Sequence, residues 1–170
     1  MAAVKQKNIP DELVKHSRYS KLVVDSQFEA FFDSVTDLTS RICEAPVSLI
    51  TFVNEETVWV QSQVGFPFVQ MLHNKGRFCG IFPREADYFE ISDTDADKIH
   101  ESHAFYIRGE KAKFYAGAKI KLPLGELIGV LSVFDVTPRT LNPTQHDYLL
   151  GMAHIIEKSL VTKNFINRVI

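Results

Sequence analysis

The residues best suited to chemistry in this chain lie in its middle third, and Cys79 is the first of them. It follows Phe78 inside a stretch punctuated by glycine and proline. A thiolate at such a place could take part in a redox reaction or hold a group covalently. Free cysteines more often serve as small buried apolar residues, and we favour that interpretation. A small redox enzyme that uses Cys79 is therefore a hypothesis of lower rank.

Three acidic residues, Asp93, Asp95 and Asp97, alternate as at the start of a calcium-binding loop. An EF-hand needs glycine at its sixth position and glutamate at its twelfth. Those positions hold Lys98 and Ala104 in this chain, so the motif fails. The acidic residues are expected to cap a short helix and to be solvated.

Two histidines, His100 and His103, would share one face of a helix and could then bind a metal ion. No third ligand is evident nearby, so we expect both at the surface or at the rim of a pocket. The sequence also lacks a nucleophile–base motif, a phosphate-binding loop and paired carboxylates. It therefore predicts no metal site and no enzymatic activity, and it names no cofactor.

Aromatic residues give the clearest indication of a binding site. The chain has 13 phenylalanines, several of them in or beside the loops. Trp59, Tyr115 and Lys119 are expected on one sheet face, where an apolar pocket with a few polar groups would suit a small ligand. A loop cluster packed shut on itself is the alternative. The candidate pocket residues are Trp59, Phe78, Cys79, Phe89, Asp93, Phe105, Tyr115 and Lys119.

The elements that would position these residues follow from hydrophobic periodicity. A short helix is predicted over 12–19 and a longer one over 28–42. Two strands, 47–53 and 58–64, form a predicted hairpin, with Trp59, Gln61 and Gln63 on one face of the second strand. The apolar stripe of the longer helix consists of Phe28, Phe31, Phe32, Val35, Leu38 and Ile42.

The second half of the chain is predicted to contain an irregular segment, a second hairpin and a long helix. Residues 65–112 form a loop-rich middle with a short strand at 88–91 and a short capped helix near 93–97. A second hairpin pairs 114–122 with 127–134, where Gly117 and Gly129 leave room for a close approach. A long helix runs over about 142–168.

Composition narrows the classes of function. The chain has 170 residues, with 19 Lys and Arg against 21 Asp and Glu. This balance does not favour nucleic-acid binding. No window approaches 18 apolar residues and the N-terminus lacks a signal-peptide core, so a cytoplasmic protein without a membrane span is expected. We predict one domain over 1–170, with its core at about 12–160.

The order of these elements resembles a GAF domain, and five strings strengthen the resemblance. Val47–Phe66 resembles the first hairpin of bacterial GAF sensor domains, and Phe78–Cys79 resembles the start of their middle segment. Phe114–Ala118 matches their most recognisable string. Gly129–Asp135 and Pro138–Gln145 resemble their closing strand and the entry to the last helix. Together the strings cover roughly residues 12–160.

This resemblance implies an α+β fold. A central antiparallel sheet of five to six strands would carry the N- and C-terminal helices on one face and a pocket roofed by loops and a helix on the other. Relatives bind cyclic nucleotides, tetrapyrroles, haem or small metabolites. Gly80 replaces the histidine that follows the bilin-linking cysteine in phytochrome-like domains, and the cyclic-nucleotide signature is absent. Some relatives reduce free methionine sulfoxide with several loop cysteines, whereas this chain offers one.

Two main hypotheses follow. The first is a non-catalytic sensory module that binds an unidentified small molecule and acts through a signalling-protein partner or alone. The second is a homodimerisation or protein-interaction module with a vestigial pocket, associating through its terminal helices. Near-heptad spacing in the last helix supports the second, although Lys163 interrupts it. The spaced residues are Leu149, Met152, Ile156, Ile166 and Ile170.

Overall fold

A computed structural model describes residues 26–53, 58–65, 71–72, 85–97 and 106–169. The predicted helix at 12–19 lies outside these residues. Two helices lie within them, α1 (Ser26–Ile42) and α2 (Pro143–Val169). The strands are β1 (Val47–Val53), β2 (Val58–Val64), β3 (Met71–Leu72), β4 (Tyr88–Ile91), β5 (Tyr106–Ile107), β6 (Glu110–Lys111), β7 (Phe114–Lys121) and β8 (Leu127–Asp135).

Six of these strands form one antiparallel sheet in the order β3-β2-β1-β8-β7-β4. The central strands β1 and β8 are buried on both faces, which explains their continuous apolar runs. The predicted α+β fold with an antiparallel sheet is confirmed. Strands β3, β5 and β6 were not predicted. Among the described residues, β5 and β6 form a small separate hairpin.

Both helices pack on the same face of the sheet, which we call the helix face; the opposite side is the far face. The central contact of the helix face joins Phe52 of β1 to Phe32 of α1, with ring centroids 5.7 Å apart. From α2, the side chains of Leu149 and Ile156 enter the same cluster. The helix face therefore forms the main hydrophobic core.

Towards the C-terminal end of α1, the buried residues differ from those of the predicted apolar stripe. Leu38 and Ile42 are 47% and 39% exposed, whereas Thr36, Thr39 and Cys43 are buried. The two threonine hydroxyls donate hydrogen bonds to the carbonyls one turn earlier in the helix. Because these bonds satisfy the hydroxyls, both threonines can replace apolar residues in the core.

A β-bulge in β2 changes which of its residues share a face. Strict alternation had predicted that Trp59, Gln61 and Gln63 lie together. Instead, Gln61 is an extra residue against β1, so the alternation reverses after it. Trp59 packs with Phe52 on the helix face, while Gln63 pairs with Leu49, which belongs to the far face. The prediction is wrong for Gln63.

Gly129 of β8 is required by the packing of the helix face. A Cβ atom there would lie 2.8 Å from Cδ1 of Phe52 and 2.3 Å from the carbonyl oxygen of Thr51. The room that the sequence predicted at Gly129 is therefore filled by β1 and not by a ligand.

The acidic segment after β4 forms a turn in the described residues. The carboxylate of Asp93 accepts a hydrogen bond from the backbone N–H of Asp95 at 3.0 Å, and its carbonyl accepts one from that of Asp97. Asp93 therefore caps a turn, as its predicted capping role requires. Whether a helix follows residue 97 lies outside the described residues.

In the part of the chain that is described, neither helix combines the length and apolar character needed to cross a membrane.

Candidate functional site

The far face is mainly apolar and buried, and it forms a second cluster that is separate from the main core. Its aromatic members come from β7, β8 and β4: the ring centroids of Tyr115 and Phe134 lie 5.1 Å apart, and those of Phe89 and Tyr115 lie 6.3 Å apart. Ile91 lies opposite Tyr115 in the register of β4 and β7. These residues form an aromatic shelf at one end of the face.

The middle row of the far face has a small residue at its centre. Gly117 of β7 pairs with Phe89 on one side and Ser132 on the other, and Ser132 pairs with Leu49. Gln63 completes the row on β2. Because glycine has no side chain, the far face is recessed at Gly117, between Phe89 and Ser132.

Lys119 lies one row further along, and it is the buried charge of the far face. It pairs with Val130 of β8, which pairs with Thr51 of β1. Lys119 is only 8% exposed, and Thr51 is also buried. An ammonium group removed from water is costly unless it faces an anion or hydrogen-bond acceptors. Lys119, Thr51 and Ser132 therefore give an apolar face a polar centre.

The structure brings together three of the candidate pocket residues, Phe89, Tyr115 and Lys119, on the far face. Asp93 lies in the turn beyond the end of β4 and not in the sheet. The other candidates from the loops, Phe78, Cys79 and Phe105, lie outside the described residues.

Trp59 does not belong to this group. It is buried on the helix face, where its ring centroid lies 5.8 Å from that of Phe52. The prediction that Trp59 shares a face with Tyr115 and Lys119 is wrong. The physical reason is cross-strand pairing: Trp59 pairs directly with Phe52, and the side chain of Phe52 lies among the helices.

Sequence reasoning missed three polar residues of the far face: Thr51, Ser132 and Gln63. A signal for the first two existed, because each interrupts an otherwise apolar strand at a position that alternation assigns to one face. Gln63 could not be assigned from alternation, since the bulge in β2 reverses its direction.

At the edge of the sheet, Asp95 lies between two lysines. Its carboxylate is 2.7 Å from Nζ of Lys111 and 3.6 Å from Nζ of Lys113. The hydrogen bond from Lys111 is the main reason that the pKa of Asp95 is lowered. Among the described residues, no three His, Cys, Asp or Glu side chains are grouped so that they could hold a metal ion. The pair of histidines at 100 and 103 lies outside those residues.

The described cysteine, Cys43, is completely buried directly after α1. Burial raises the pKa of its thiol to about 11, although the positive charge of Arg139 opposes the shift. A thiol with so high a pKa is a poor nucleophile at neutral pH, so Cys43 is a packing residue.

Solved structures with the same arrangement settle the fold. The chain superposes on the blue-light-absorbing form of the PixJ GAF domain of Thermosynechococcus elongatus with a TM-score of 0.69 and 13% identity, covering 84% of this chain and 90% of that one. The chain has the fold of a GAF domain. The predicted resemblance is confirmed for the fold.

Enzymes occur among the proteins similar to this GAF-like chain. A free methionine-R-sulfoxide reductase from Neisseria meningitidis, solved in complex with its substrate, superposes with a TM-score of 0.68 and 16% identity over 86% of each chain. A cyclic di-GMP phosphodiesterase of Pseudomonas aeruginosa is 23% identical over 130 residues, which is 74% of this chain and 22% of that protein. The chain thus spans about a fifth of the length of this curated relative. No family model matches it.

These relatives correct one prediction. The sequence predicts that the protein has no enzymatic activity. That prediction is wrong, because the proteins similar to this chain include enzymes. The GAF-fold reductase shows that catalysis is compatible with the fold, and a relative of low identity is named as a phosphodiesterase. The absence of a familiar catalytic motif was too weak an argument, because the same fold hosts different functions at different sites.

Proposed function

We propose that this GAF-like domain is a sensory module of bacterial signal transduction that binds a small molecule on its far face and acts through a partner protein. The observation that carries the proposal is the polar centre of the far face, formed by Lys119, Ser132 and Thr51 within a buried apolar surface. We expect a ligand with an apolar body and an anionic or hydrogen-bond-accepting group.

The charge of Lys119 distinguishes the far face from the polar cluster of the helix face. On the helix face, the hydroxyls of Thr36 and Ser62 bond to each other at 2.8 Å, and Ser62 also donates to the carboxylate of Asp33. This cluster is satisfied by its own members. On the far face, the hydroxyl of Thr51 bonds to the carbonyl oxygen of Val130, and the nearby ammonium of Lys119 carries the charge that an anionic ligand group requires.

Two similar structures also support a small-molecule site by analogy of fold. One is a domain in its blue-light-absorbing form, and the other is a reductase in complex with its substrate. Fold analogy gives the class of function and not the ligand.

A pair of fluorescent probes tests the proposal. Anilinonaphthalene sulfonate and uncharged phenylnaphthylamine share an apolar body and differ in the sulfonate. We expect both to bind the wild type saturably, with Lys119→Met weakening the sulfonate about tenfold, equivalent to about 1.4 kcal/mol, and leaving the neutral probe unchanged. The matched control is Lys158→Met, since Lys158 is exposed on α2.

The proposal is overturned if neither probe binds the folded protein saturably. If Lys119→Met weakened the affinity of both probes equally, a binding pocket would be supported, but Lys119 would not be the residue that recognises the anionic group. Unfolding curves recorded for each variant separate loss of binding from loss of folding.

A second candidate function is self-association through the helices. Leu38 and Ile42 of α1 and Ile155 of α2 are large apolar residues that remain exposed. We expect the double variant Leu38→Glu/Ile42→Glu to sediment as a monomer if this surface joins two copies. Leu124→Glu, at a hairpin tip where Leu124 is 98% exposed, is the control. A wild-type monomer at tens of micromolar would contradict the dimer.

A further inference from the structure

Arg139 lies in the connection between β8 and α2, and its side chain contacts several separate segments of the chain. Its guanidinium donates hydrogen bonds to the carbonyl oxygens of Cys43 at 2.6 Å and Glu44 at 2.7 Å. It also lies 3.3 Å from the carboxylate of Asp135 and 5.4 Å from the ring centroid of Phe114. One side chain thus joins the end of α1, the end of β8 and the start of β7.

The backbone of Arg139 adds a fourth segment. Its N–H donates to the carbonyl oxygen of Ser92, directly after β4, at 3.0 Å. Three of the segments that Arg139 holds are therefore the ends of β4, β7 and β8, which are neighbours in the sheet.

Each of these three contact residues is next in the chain to a residue of the aromatic shelf. Ser92 follows Ile91, Phe114 precedes Tyr115, and Asp135 follows Phe134. These three shelf residues form one row across the far face, since Tyr115 pairs with both Ile91 and Phe134. Because successive residues of a strand point to opposite faces, the shelf and the contacts of Arg139 share the same short pieces of backbone.

The ends of both helices meet at the same place. Gln145, in the first turn of α2, donates from Nε2 to the carbonyl oxygen of Ile42 at 3.1 Å. Its backbone N–H and side-chain oxygen also exchange hydrogen bonds with Asn142, which forms a capping box at the start of α2. Gln145 thus holds the last carbonyl of α1, and Arg139 holds the two carbonyls that follow it.

We propose that Arg139 couples the far face to the adjoining ends of α1 and α2, as a positioning residue that transmits displacement of the aromatic shelf. Its use in signalling rests on the proposed function, because a ligand must supply the displacement. A planar guanidinium is suited to this task, since it donates in several fixed directions at once, whereas a lysine ammonium acts as a point charge. A shift of any one strand end changes the position of the donors that hold α1.

Hydrogen exchange measures this coupling without a ligand. The backbone N–H groups of Cys43 and Ala45 bond to carbonyls of α1, so their exchange rates report on the end of that helix. Ile91→Val removes one methyl group from the shelf. We expect it to speed this exchange about threefold in the wild type and to add nothing in Arg139→Met or Arg139→Lys.

Two controls keep the test specific. Arg41→Met removes an exposed arginine of α1 that pairs only with Asp37 among the described residues, and the response to Ile91→Val should persist there. Phe134→Leu perturbs the shelf from β8 and should behave like Ile91→Val. If the response to Ile91→Val is the same with and without Arg139, the coupling is overturned, even when Arg139→Met lowers overall stability.

The neutral probe then separates this inference from the proposed function. Probe-induced change of the same exchange rates in the wild type, absent in Arg139→Lys at equal probe affinity, supports both. Saturable binding with equal exchange changes in the two proteins overturns the coupling alone. Failure of both probes to bind, with the response to Ile91→Val intact, overturns the proposed function and leaves the coupling supported.

Discussion

On the helix face of the sheet, the rings of Phe32, Phe52 and Trp59 contact one another edge-on or tilted beneath two helices, and the hydroxyls of Thr36 and Ser62 bond to each other. On the far face, the aromatic pair Tyr115 and Phe134 lies beside a polar centre. Both faces belong to the same strands. They differ in the polar groups that they carry, which are paired hydroxyls on the helix face and the ammonium of Lys119 on the far face.

Under the proposed function, this difference separates the part of the molecule that mainly provides stability from the part that binds a ligand. A face that only packs gains free energy from apolar area and tolerates polar groups when they are bonded. A face that recognises a ligand carries polar or charged groups that suit the ligand, at some cost in stability. Substitutions matched across the two faces test this separation.

The largest effect is expected from Phe52→Ala on the helix face. Phe52 is fully buried, contacts aromatic rings on two sides and fills the space above Gly129. Its removal leaves a cavity and should lower the free energy of unfolding by about 3–5 kcal/mol. Denaturant unfolding measures this, with Leu124→Ala as an exposed control. A loss below about 1 kcal/mol would show that the helix face does not carry the stability.

The closure of the helix face also predicts slow chemistry at Cys43. Because burial raises the pKa of this thiol from 9.0 to about 11, its alkylation by iodoacetamide at pH 9 should be about fiftyfold slower in the folded protein than in denaturant. Peptide mass spectrometry distinguishes Cys43 from Cys79. Equal rates in the two conditions would mean that the helix face opens readily.

The same shift has a defined sign for stability. The folded protein holds the thiol proton more tightly than the unfolded chain does. Its contribution is therefore fully present below pH 9 and is lost as the pH rises towards 11. Urea unfolding of Cys43→Ala beside the wild type over this range isolates the contribution.

A smaller effect is expected from Ser62→Ala on the helix face. The change removes the hydrogen bond to the Asp33 carboxylate and the one shared with Thr36. Thr36 keeps its bond to the carbonyl of Phe32, so the loss should be about 1–2 kcal/mol in the free energy of unfolding. No measurable loss would place this hydroxyl in the same class as those of the far face.

The smallest effect on stability is expected from the matched variant Ser132→Ala on the far face. No hydrogen bond of Ser132 Oγ to another described residue is lost by the change. The free energy of unfolding should stay within about 0.5 kcal/mol of the wild type, while affinity for the sulfonate probe falls severalfold. A loss equal to that of Ser62→Ala, with unchanged probe binding, would make Ser132 a structural residue.

Much of the fold could be predicted because strong local patterns specify it. The strands 47–53 and 58–64 were predicted with the bounds that the structure has, since β-branched residues and the flanking proline and turn residues define them. The long last helix was predicted from Asn142 and Pro143, which the structure confirms as its start. The two-residue strands were missed, because so short a segment has no periodicity.

The candidate site was only partly predictable. Tyr115, Lys119 and Phe89 could be chosen from strand position, but Trp59 could not be assigned to a face without knowing its partner in β1. Likewise, the buried side of α1 was misassigned at Leu38 and Thr39, because a threonine that bonds back to its own helix packs like an apolar residue.

The sequence by itself determined the element types, their order and the apolar content of each strand, since these depend on neighbours within a few residues. Only the tertiary structure decided which strands pair, where the bulge at Gln61 reverses a face, and which carbonyls Arg139 holds. Those features depend on contacts between residues far apart in the chain. Their energies arise when the sheet and helices come together, so local sequence does not contain them.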